Sequence, residues 1–297
     1  GLCLVITPLI ALMKDQVNRL KSMNIKAMAI HSGMTREEVE IALDNCLYGD
    51  YRLLYVSPER LQTPVFRSRV ARFNFTFVAV DEAHCISQWG YDFRPSYLAI
   101  ADIRDMISPE VPFLALTATA TPEVVKDITA RLKLRNALIL QSSFKRTNIT
   151  YVVREVEDKG AYLTKSLSRE PGCGIVYVSS RKRSKEVAEM LLSKGINADF
   201  YHAGLPQEMR DRKQHAWTTG ESRVIVATNA FGMGIDKADV RFVIHWDSPD
   251  SVEAYYQESG RAGRDGKPAF AVLLWSEDEK RRLADSVRFK FPPVERI

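Results

Sequence analysis

Two adjacent carboxylates, Asp81 and Glu82, follow the four apolar residues Phe77, Val78, Ala79 and Val80. An acidic pair that ends a buried strand stands at the carboxyl edge of an open α/β sheet, where such sheets bind their ligands. One carboxylate there can hold Mg²⁺ through water while its neighbour orients or deprotonates an attacking water, the division of labour that phosphoryl transfer uses. On its own an acidic pair at a strand end is more often a solvated turn. The string Asp81-Glu82-Ala83-His84 is much narrower, and it runs on into a loop carrying Gln88, Trp89, Tyr91, Phe93 and Arg94. Aromatic side chains in such a loop can stack bases, at roughly 1–3 kcal/mol each and without regard to sequence, and arginine adds phosphate or cation–π contact. The competing reading of the loop is core packing.

Three further strings carry chemistry. Leu114 to Ala120 is a strand that ends in Thr117 and Thr119, which matters only if it neighbours the carboxylates. Val224 to Asp236 is a strand that breaks into a turn with Gly232 and Gly234 around Met233, glycines required where backbone dihedrals are unusual or a ligand comes close. Gln257 to Gly266 sets Arg261 and Arg264 three apart among glycines. A lone R-x-x-R is usually a solvated helix face. Here the glycines clear space beside each guanidinium, whose planar fork suits phosphate better than lysine does.

The elements that must position these residues follow from periodicity. Leu2–Thr7, Ile25–Ile30, Arg52–Ser57, Phe75–Val80, Phe113–Thr117 and Ala137–Gln141 are predicted strands. Thr35 with Glu38 forms a capping box ahead of Val39, Ala42, Leu43 and Cys46, and Thr121-Pro122 opens a second helix. After a polar junction at 142–148 the rhythm restarts with strands at Ile149–Val153, Ile175–Val178, Ala198–His202, Val224–Thr228, Phe242–Trp246 and Phe270–Trp275. A helical stripe at Val187, Leu191 and Leu192 is ended by Gly195, and Pro206 is expected in the first turn of the next helix. Strands alternating with helices specify parallel α/β architecture, here in two successive domains.

The bulk numbers agree. The 297 residues allow two domains, the 45% hydrophobic content is that of packed cores, and no apolar run reaches the roughly 18 residues of a membrane span. The four cysteines lie far apart without zinc-ligand spacing and read as buried thiols of a reducing compartment. A net charge of +5 permits an anionic partner.

Together the strings resemble the RecQ family of superfamily 2 DNA helicases over nearly the whole chain. T-P-L-I-A-L-M-K-D-Q from Thr7 looks like motif Ia, Y-V-S-P-E-R from Tyr55 like motif Ib, and D-E-A-H-C-I-S-Q-W-G-Y-D-F-R-P-S-Y from Asp81 like motif II with the aromatic-rich loop of that family. L-T-A-T-A-T from Leu116 resembles motif III, I-V-Y-V-S-S-R-K-R from Ile175 motif IV, A-T-N-A-F-G-M-G-I-D from Ala227 motif V, and Y-Y-Q-E-S-G-R-A-G-R-D-G from Tyr255 motif VI.

The resemblance implies two tandem RecA-like parallel-sheet domains: residues 1–143 with motifs Ia to III, incomplete at the N-terminus, 144–280 with motifs IV to VI, and 281–297 as the start of a C-terminal extension. It implies ATP and Mg²⁺ as cofactors, no zinc within this chain, single-stranded and partially duplex DNA as partner, no membrane, and 3′ to 5′ translocation with unwinding in DNA repair and recombination. A cytoplasmic protein is expected, with the nucleoid or nucleus as its place according to cell type. Asp81 would hold Mg²⁺ and Glu82 would be the catalytic base. Arg264 would be an arginine finger, Arg261 a second phosphate contact, and Asp236 and Gly234 neighbours of the nucleotide. His84, Thr117, Thr119 and Gln257 would couple the sites, with Gln88, Trp89, Phe93 and Arg94 sensing DNA. Thr7, Pro8, Ser57, Arg60, Ser179, Arg181 and Thr228 would touch the DNA, together with Trp89, Phe93 and Arg94.

The chain departs from the family in one respect. No G-x-x-x-x-G-K-[ST] phosphate loop occurs in it, and the single Gly-Lys pair, Gly266-Lys267, is followed by Pro268. The expectation is a piece of a longer protein that by itself hydrolyses ATP poorly. Two other readings stand beside it: an RNA helicase of the same superfamily, which the aromatic loop disfavours, and a nucleotide-independent DNA-binding scaffold.

Overall fold

The capping box expected at Thr35 is formed: its hydroxyl accepts the Glu38 amide at 3.2 Å while the Glu38 carboxylate accepts the Thr35 amide at 2.7 Å. Helix α2 (Arg36–Tyr48) therefore starts where the sequence places it, and Val39, Ala42, Leu43 and Cys46 are the residues it buries. Likewise Thr121 accepts the Val124 amide, with Pro122 in the first turn of its helix. The computed structural model describes residues 1–88, 92–143, 145–232 and 237–290, in two compact units, Gly1–Ser142 and Ser143–Ile297.

In the first unit the remaining elements are β1 (Leu2–Ile6), α1 (Ile10–Ser22), β2 (Ala27–Ile30), β3 (Leu53–Val56), α3 (Pro64–Val70), β4 (Phe75–Val80), α4 (Ile100–Met106), β5 (Phe113–Ala115) and α5 (Pro122–Arg131). The strands form one parallel sheet in the order β2-β3-β1-β4-β5, with Ile6 beside Val80 and Ala79 beside Leu114. Met13 and Val17 of α1 pack on Ala27 and Tyr55, whereas α2, α3, α4 and α5 join the larger core around Leu4, Ile6, Leu54, Val78 and Val80. Leu43 is fully buried there, so truncating it to alanine would cost about 2–5 kcal/mol.

The second unit comprises β6 (Ile149–Glu155), α6 (Lys159–Arg169), β7 (Cys173–Tyr177), α7 (Arg181–Ser193), β8 (Ala198–Tyr201), α8 (Gln207–Thr219), β9 (Val224–Ala227), β10 (Val240–His245), α9 (Val252–Ser259), β11 (Ala269–Trp275) and α10 (Glu277–Lys290). Its parallel sheet has the order β6-β11-β10-β7-β9-β8. Trp217 of α8 is fully buried and donates its indole N–H to the Gly174 carbonyl at 3.1 Å. Gly195 follows α7 at φ +74°, the left-handed turn that favours glycine. Pro206 is the N-cap of α8 rather than part of its first turn.

One predicted strand does not form. Residues 137–141 adopt no regular structure, and Leu138, Ile139 and Leu140 are 82%, 59% and 85% exposed. Strand propensity needs a backbone to pair with, and among the described residues β5 pairs with β4 alone.

Candidate functional site

The carboxylates stand where the strand pattern puts them, at the carboxyl end of β4, and the surrounding chain over-determines their backbone. The Asp81 amide donates to the Ile6 carbonyl at 2.9 Å, and its own carbonyl accepts the Tyr97 hydroxyl at 2.9 Å. Tyr97 is fully buried, and burial pushes its phenol up. The Ala83 amide donates to the Leu116 carbonyl at 2.9 Å. Between these anchors Glu82 adopts φ 47°, ψ 44°, a left-handed conformation that costs a non-glycine residue about 1–2 kcal/mol. Asp81 accepts the Thr7 hydroxyl at 3.1 Å through one oxygen and the Glu82 amide at 3.0 Å through the other. Among the described residues its carboxylate is held by a hydroxyl and an amide rather than by a counter-cation, and an acidic oxygen of this kind at a sheet edge is the donor chemistry that Mg²⁺ takes.

His84 links the acids to β5. It is 2% exposed, with Nδ1 3.0 Å from the Thr117 hydroxyl and 3.3 Å from a Glu82 carboxylate oxygen. Burial, opposed by Asp92 and reinforced by Arg94, lowers its pKa to about 4, so the ring is neutral at pH 7. The Thr117 hydroxyl in turn donates to the Thr119 carbonyl at 3.2 Å and accepts the Thr119 amide at 3.3 Å. A hydrogen bond from Ser87 ties the loop after His84 to Asp127 of α5; burial raises the Asp127 pKa, but Ser87 and Arg131 outweigh it and hold the carboxyl below its usual range. In the following loop Gln88 is exposed, Phe93 half-buried, and Arg94 pairs with Asp92 at 2.8 Å. Cys85 is buried against this pair, and burial pushes its thiol up to about 12. Trp89 lies outside the described residues, as do Gly234 and Asp236.

Several side chains expected at nucleic acid are committed elsewhere. Thr7 is 1% exposed with its hydroxyl on Asp81, so packing makes it a partner of the carboxylate rather than a surface contact. Ser57 is equally buried, its hydroxyl without a hydrogen-bond partner among the described residues. Arg60 spends its guanidinium on the carbonyls of His31 and Met34, at 2.8 Å each, bracing that turn. Pro8 is half-buried.

In the second unit a recess of about 130 Å³ opens at the carboxyl ends of β7, β9 and β10, lined by Ser179, Thr228, Asn229, His245, Asp247 and Glu258. Ser179 donates its amide and hydroxyl to Asp247 at 2.7 and 2.8 Å, and Arg183 donates to the same carboxylate at 2.5 Å. Burial works to raise the Asp247 pKa, but these hydrogen bonds prevail and hold it low. Thr228 is half-buried at the strand end and Arg181 exposed at the start of α7.

Beneath the recess the two arginines of the R-x-x-R pair part company. Arg264 is exposed, with Gln257 half-buried on α9. Arg261 is 7% exposed and donates to the Gly232 carbonyl, so packing turns it inward, away from the surface a phosphate contact requires. Gly232 has φ +120°, and a Cβ there would lie 2.5 Å from the Arg261 guanidinium and 2.7 Å from the Tyr177 hydroxyl, which is why no larger residue fits. Tyr177 donates to the Phe231 carbonyl at 2.9 Å and stacks on His245, whose Nε2 lies 2.8 Å from Glu258.

Sequence reasoning missed this buried group, because Tyr177, His245 and Glu258 come from three elements and share no motif. It also missed Arg146 and Asn148. They lie at the polar junction yet donate to the carbonyls of Gly260, Ala262, Gly263 and Lys267, holding the arginine loop from below.

Comparison with known proteins places this geometry. Residues 1–128 match the model of the DEAD/DEAH box helicase family, and residues 158–266 that of the helicase conserved C-terminal domain. The ATP-dependent DNA helicase RecQ of Haemophilus influenzae is 45% identical over 276 residues, covering 93% of this chain and 44% of that protein. RecQ of Bacillus subtilis is 41% identical, covering 94% and 47%, and the RecQ-like DNA helicase blm-1 of Caenorhabditis elegans 42%, covering 95% and 30%. The chain thus spans less than half the length of these relatives. Among solved structures, Mycobacterium smegmatis helicase Lhr bound to ssDNA and AMP-PNP superposes with a TM-score of 0.72 at 18% identity, over 92% of this chain and 40% of that one. Saccharomyces cerevisiae Dbp5 bound to RNA and ADP BeF3 gives 0.70 at 18%, over 98% and 75%. At such identities these two likenesses establish the shared fold, a RecA-like parallel sheet in each unit.

Proposed function

Because this chain belongs to the RecQ family of helicases, we propose that its two units are motor domains of an ATP-dependent DNA helicase, moving 3′ to 5′ along single-stranded DNA and unwinding duplex. The observation that carries the reading is the connection from Glu82 through buried His84 to Thr117 and Thr119, a direct path from a water-activating acid to a neighbouring strand end.

Asp81 is the residue that would hold Mg²⁺, and Thr7 and the Glu82 amide fix its carboxylate. When bound, Mg²⁺ supplies neutralisation of phosphate charge. Glu82 orients and deprotonates the attacking water, its carboxylate directed by the strained backbone and by His84. A neutral His84 serves this better than a charged one, because it positions the acid without quenching it. Arg264, exposed on its loop, acts as the arginine finger, while Arg261 positions that loop from below. Ser179, Arg181 and Thr228 contact the DNA backbone, and Gln88, Trp89, Phe93 and Arg94 report its presence.

The test uses a version of the protein carrying the family's G-x-x-x-x-G-K-[ST] loop. Single-stranded DNA should stimulate phosphate release, and Glu82→Gln should remove that release, by about a hundredfold or more, while DNA affinity stays within twofold. Stimulation by RNA alone, or unchanged turnover in Glu82→Gln, would refute the reading.

A further inference from the structure

Three consecutive residues after β10 are each tied to a different element. The Trp246 carbonyl accepts a hydrogen bond from the ammonium of Lys159, the first residue of α6. The Asp247 carboxylate takes Ser179 and Arg183 from the end of β7 and the start of α7. The Ser248 amide donates at 2.7 Å to Glu279, in the first turn of α10.

Lys159 and Glu279 close this arrangement. The Lys159 ammonium also donates to the Leu274 carbonyl at 3.1 Å and to the second Glu279 oxygen at 2.5 Å. Their side chains are 13% and 14% exposed. All three ammonium protons are thereby used, and both carboxylate oxygens of Glu279 are engaged. Lys159 cannot leave without stranding Glu279 and two main-chain carbonyls, and Glu279 cannot leave without releasing the Ser248 amide. Asp247 is the wall shared by two hollows: the recess with Ser179 and Thr228, and a cleft of about 510 Å³ lined by Lys159, Arg183, Trp246 and Glu279.

We propose that Lys159 and Glu279 are positioning residues that make the geometry of the Ser179–Asp247 contact depend on the seating of α10. A shift of α10 withdraws Glu279 from Ser248 and Lys159, loosens residues 246–248, and with them the carboxylate that orients Ser179. Its effect on DNA rests on the reading above that Ser179 faces the nucleic acid. Lys159, although cationic, acts here without touching phosphate.

Two measurements on the 297-residue chain test this. In the first, amide hydrogen exchange compares the parent with the isosteric Glu279→Gln and with Glu277→Gln, which makes the same charge change on the exposed side of the same turn. Exchange at Ser179 and at 247–248 should speed up at least tenfold in Glu279→Gln and stay unchanged in Glu277→Gln; equal protection in all three would overturn the proposal.

In the second, binding of a fluorescent single-stranded DNA oligonucleotide is followed over a range of salt. Lys159→Met should weaken binding about three- to tenfold while the slope of log K against log salt keeps its parent value. A slope shallower by about one would make Lys159 a direct phosphate contact and overturn the positioning role. If the parent binds no DNA, the DNA reading fails, and the exchange result alone decides the link between α10 and Ser179.

Discussion

His84 Nδ1 lies 3.0 Å from the Thr117 hydroxyl and 3.3 Å from the Glu82 carboxylate, so one buried imidazole nitrogen stands between the acid after β4 and the hydroxyl after β5. The neighbouring strands bring the groups close, and burial keeps the ring neutral, able to donate to either oxygen.

That burial makes stability depend on pH. The folded-state pKa of His84 is about 4, below the 6.5 of an exposed histidine, so the unfolded chain binds the extra proton first as pH falls. The contribution is complete above about pH 6.5 and is lost as pH falls toward 4. Between pH 7 and pH 5 the loss should be about 2 kcal/mol. Urea unfolding at the two pH values measures it, and His84→Asn, which keeps a donor near the Nδ1 position, should show a drop smaller by that amount.

The two arginines of the R-x-x-R pair should separate in a thermal melt. Arg261→Ala removes a buried guanidinium from the Gly232 carbonyl, a loss of roughly 1–3 kcal/mol. Arg264→Ala, at an exposed position, should stay within about 0.5 kcal/mol of the parent. Equal melting temperatures for both variants would contradict the buried placement of Arg261.

Hydrolysis by the 297-residue chain itself should be at background with or without DNA, since no G-x-x-x-x-G-K-[ST] string is present to cradle the phosphates. A phosphate-release assay decides this, and robust DNA-stimulated turnover would show that another segment does the cradling.

DNA binding by the same chain should weaken as salt rises, because exposed Arg181 is assigned to the phosphate backbone and each phosphate that a cationic side chain neutralises releases counterions. Anisotropy titrations from low to moderate salt would reveal it, and a flat response would remove backbone contact from the account. An RNA oligonucleotide of the same sequence, bound more tightly, would shift the preference away from DNA.

What could be read in the sequence was whatever is local. The strand Phe75–Val80, the acids at its end, the Thr35 box and the glycine after α7 each depend on neighbours within a few residues, and each is found as read. Residues 137–141 form no strand because apolar composition does not supply a pairing partner. The family resemblance implies DNA or phosphate contacts for Thr7, Arg60 and Arg261, yet each has a partner that only tertiary packing selects: Asp81, two carbonyls near His31, and Gly232. Lys159 and Glu279 lie 120 positions apart, beyond any motif.

The buried thiol beside His84 has a practical consequence for labelling. With Cys85 and Cys46 held at about 12, Cys3 at about 11, and Cys173 also raised by burial, each of the four cysteine thiols carries very little thiolate at neutral pH. A single cysteine introduced on the exposed face of α10 would outcompete all four for a maleimide dye, so a fluorophore can be placed on that helix without first stripping the native thiols from the chain.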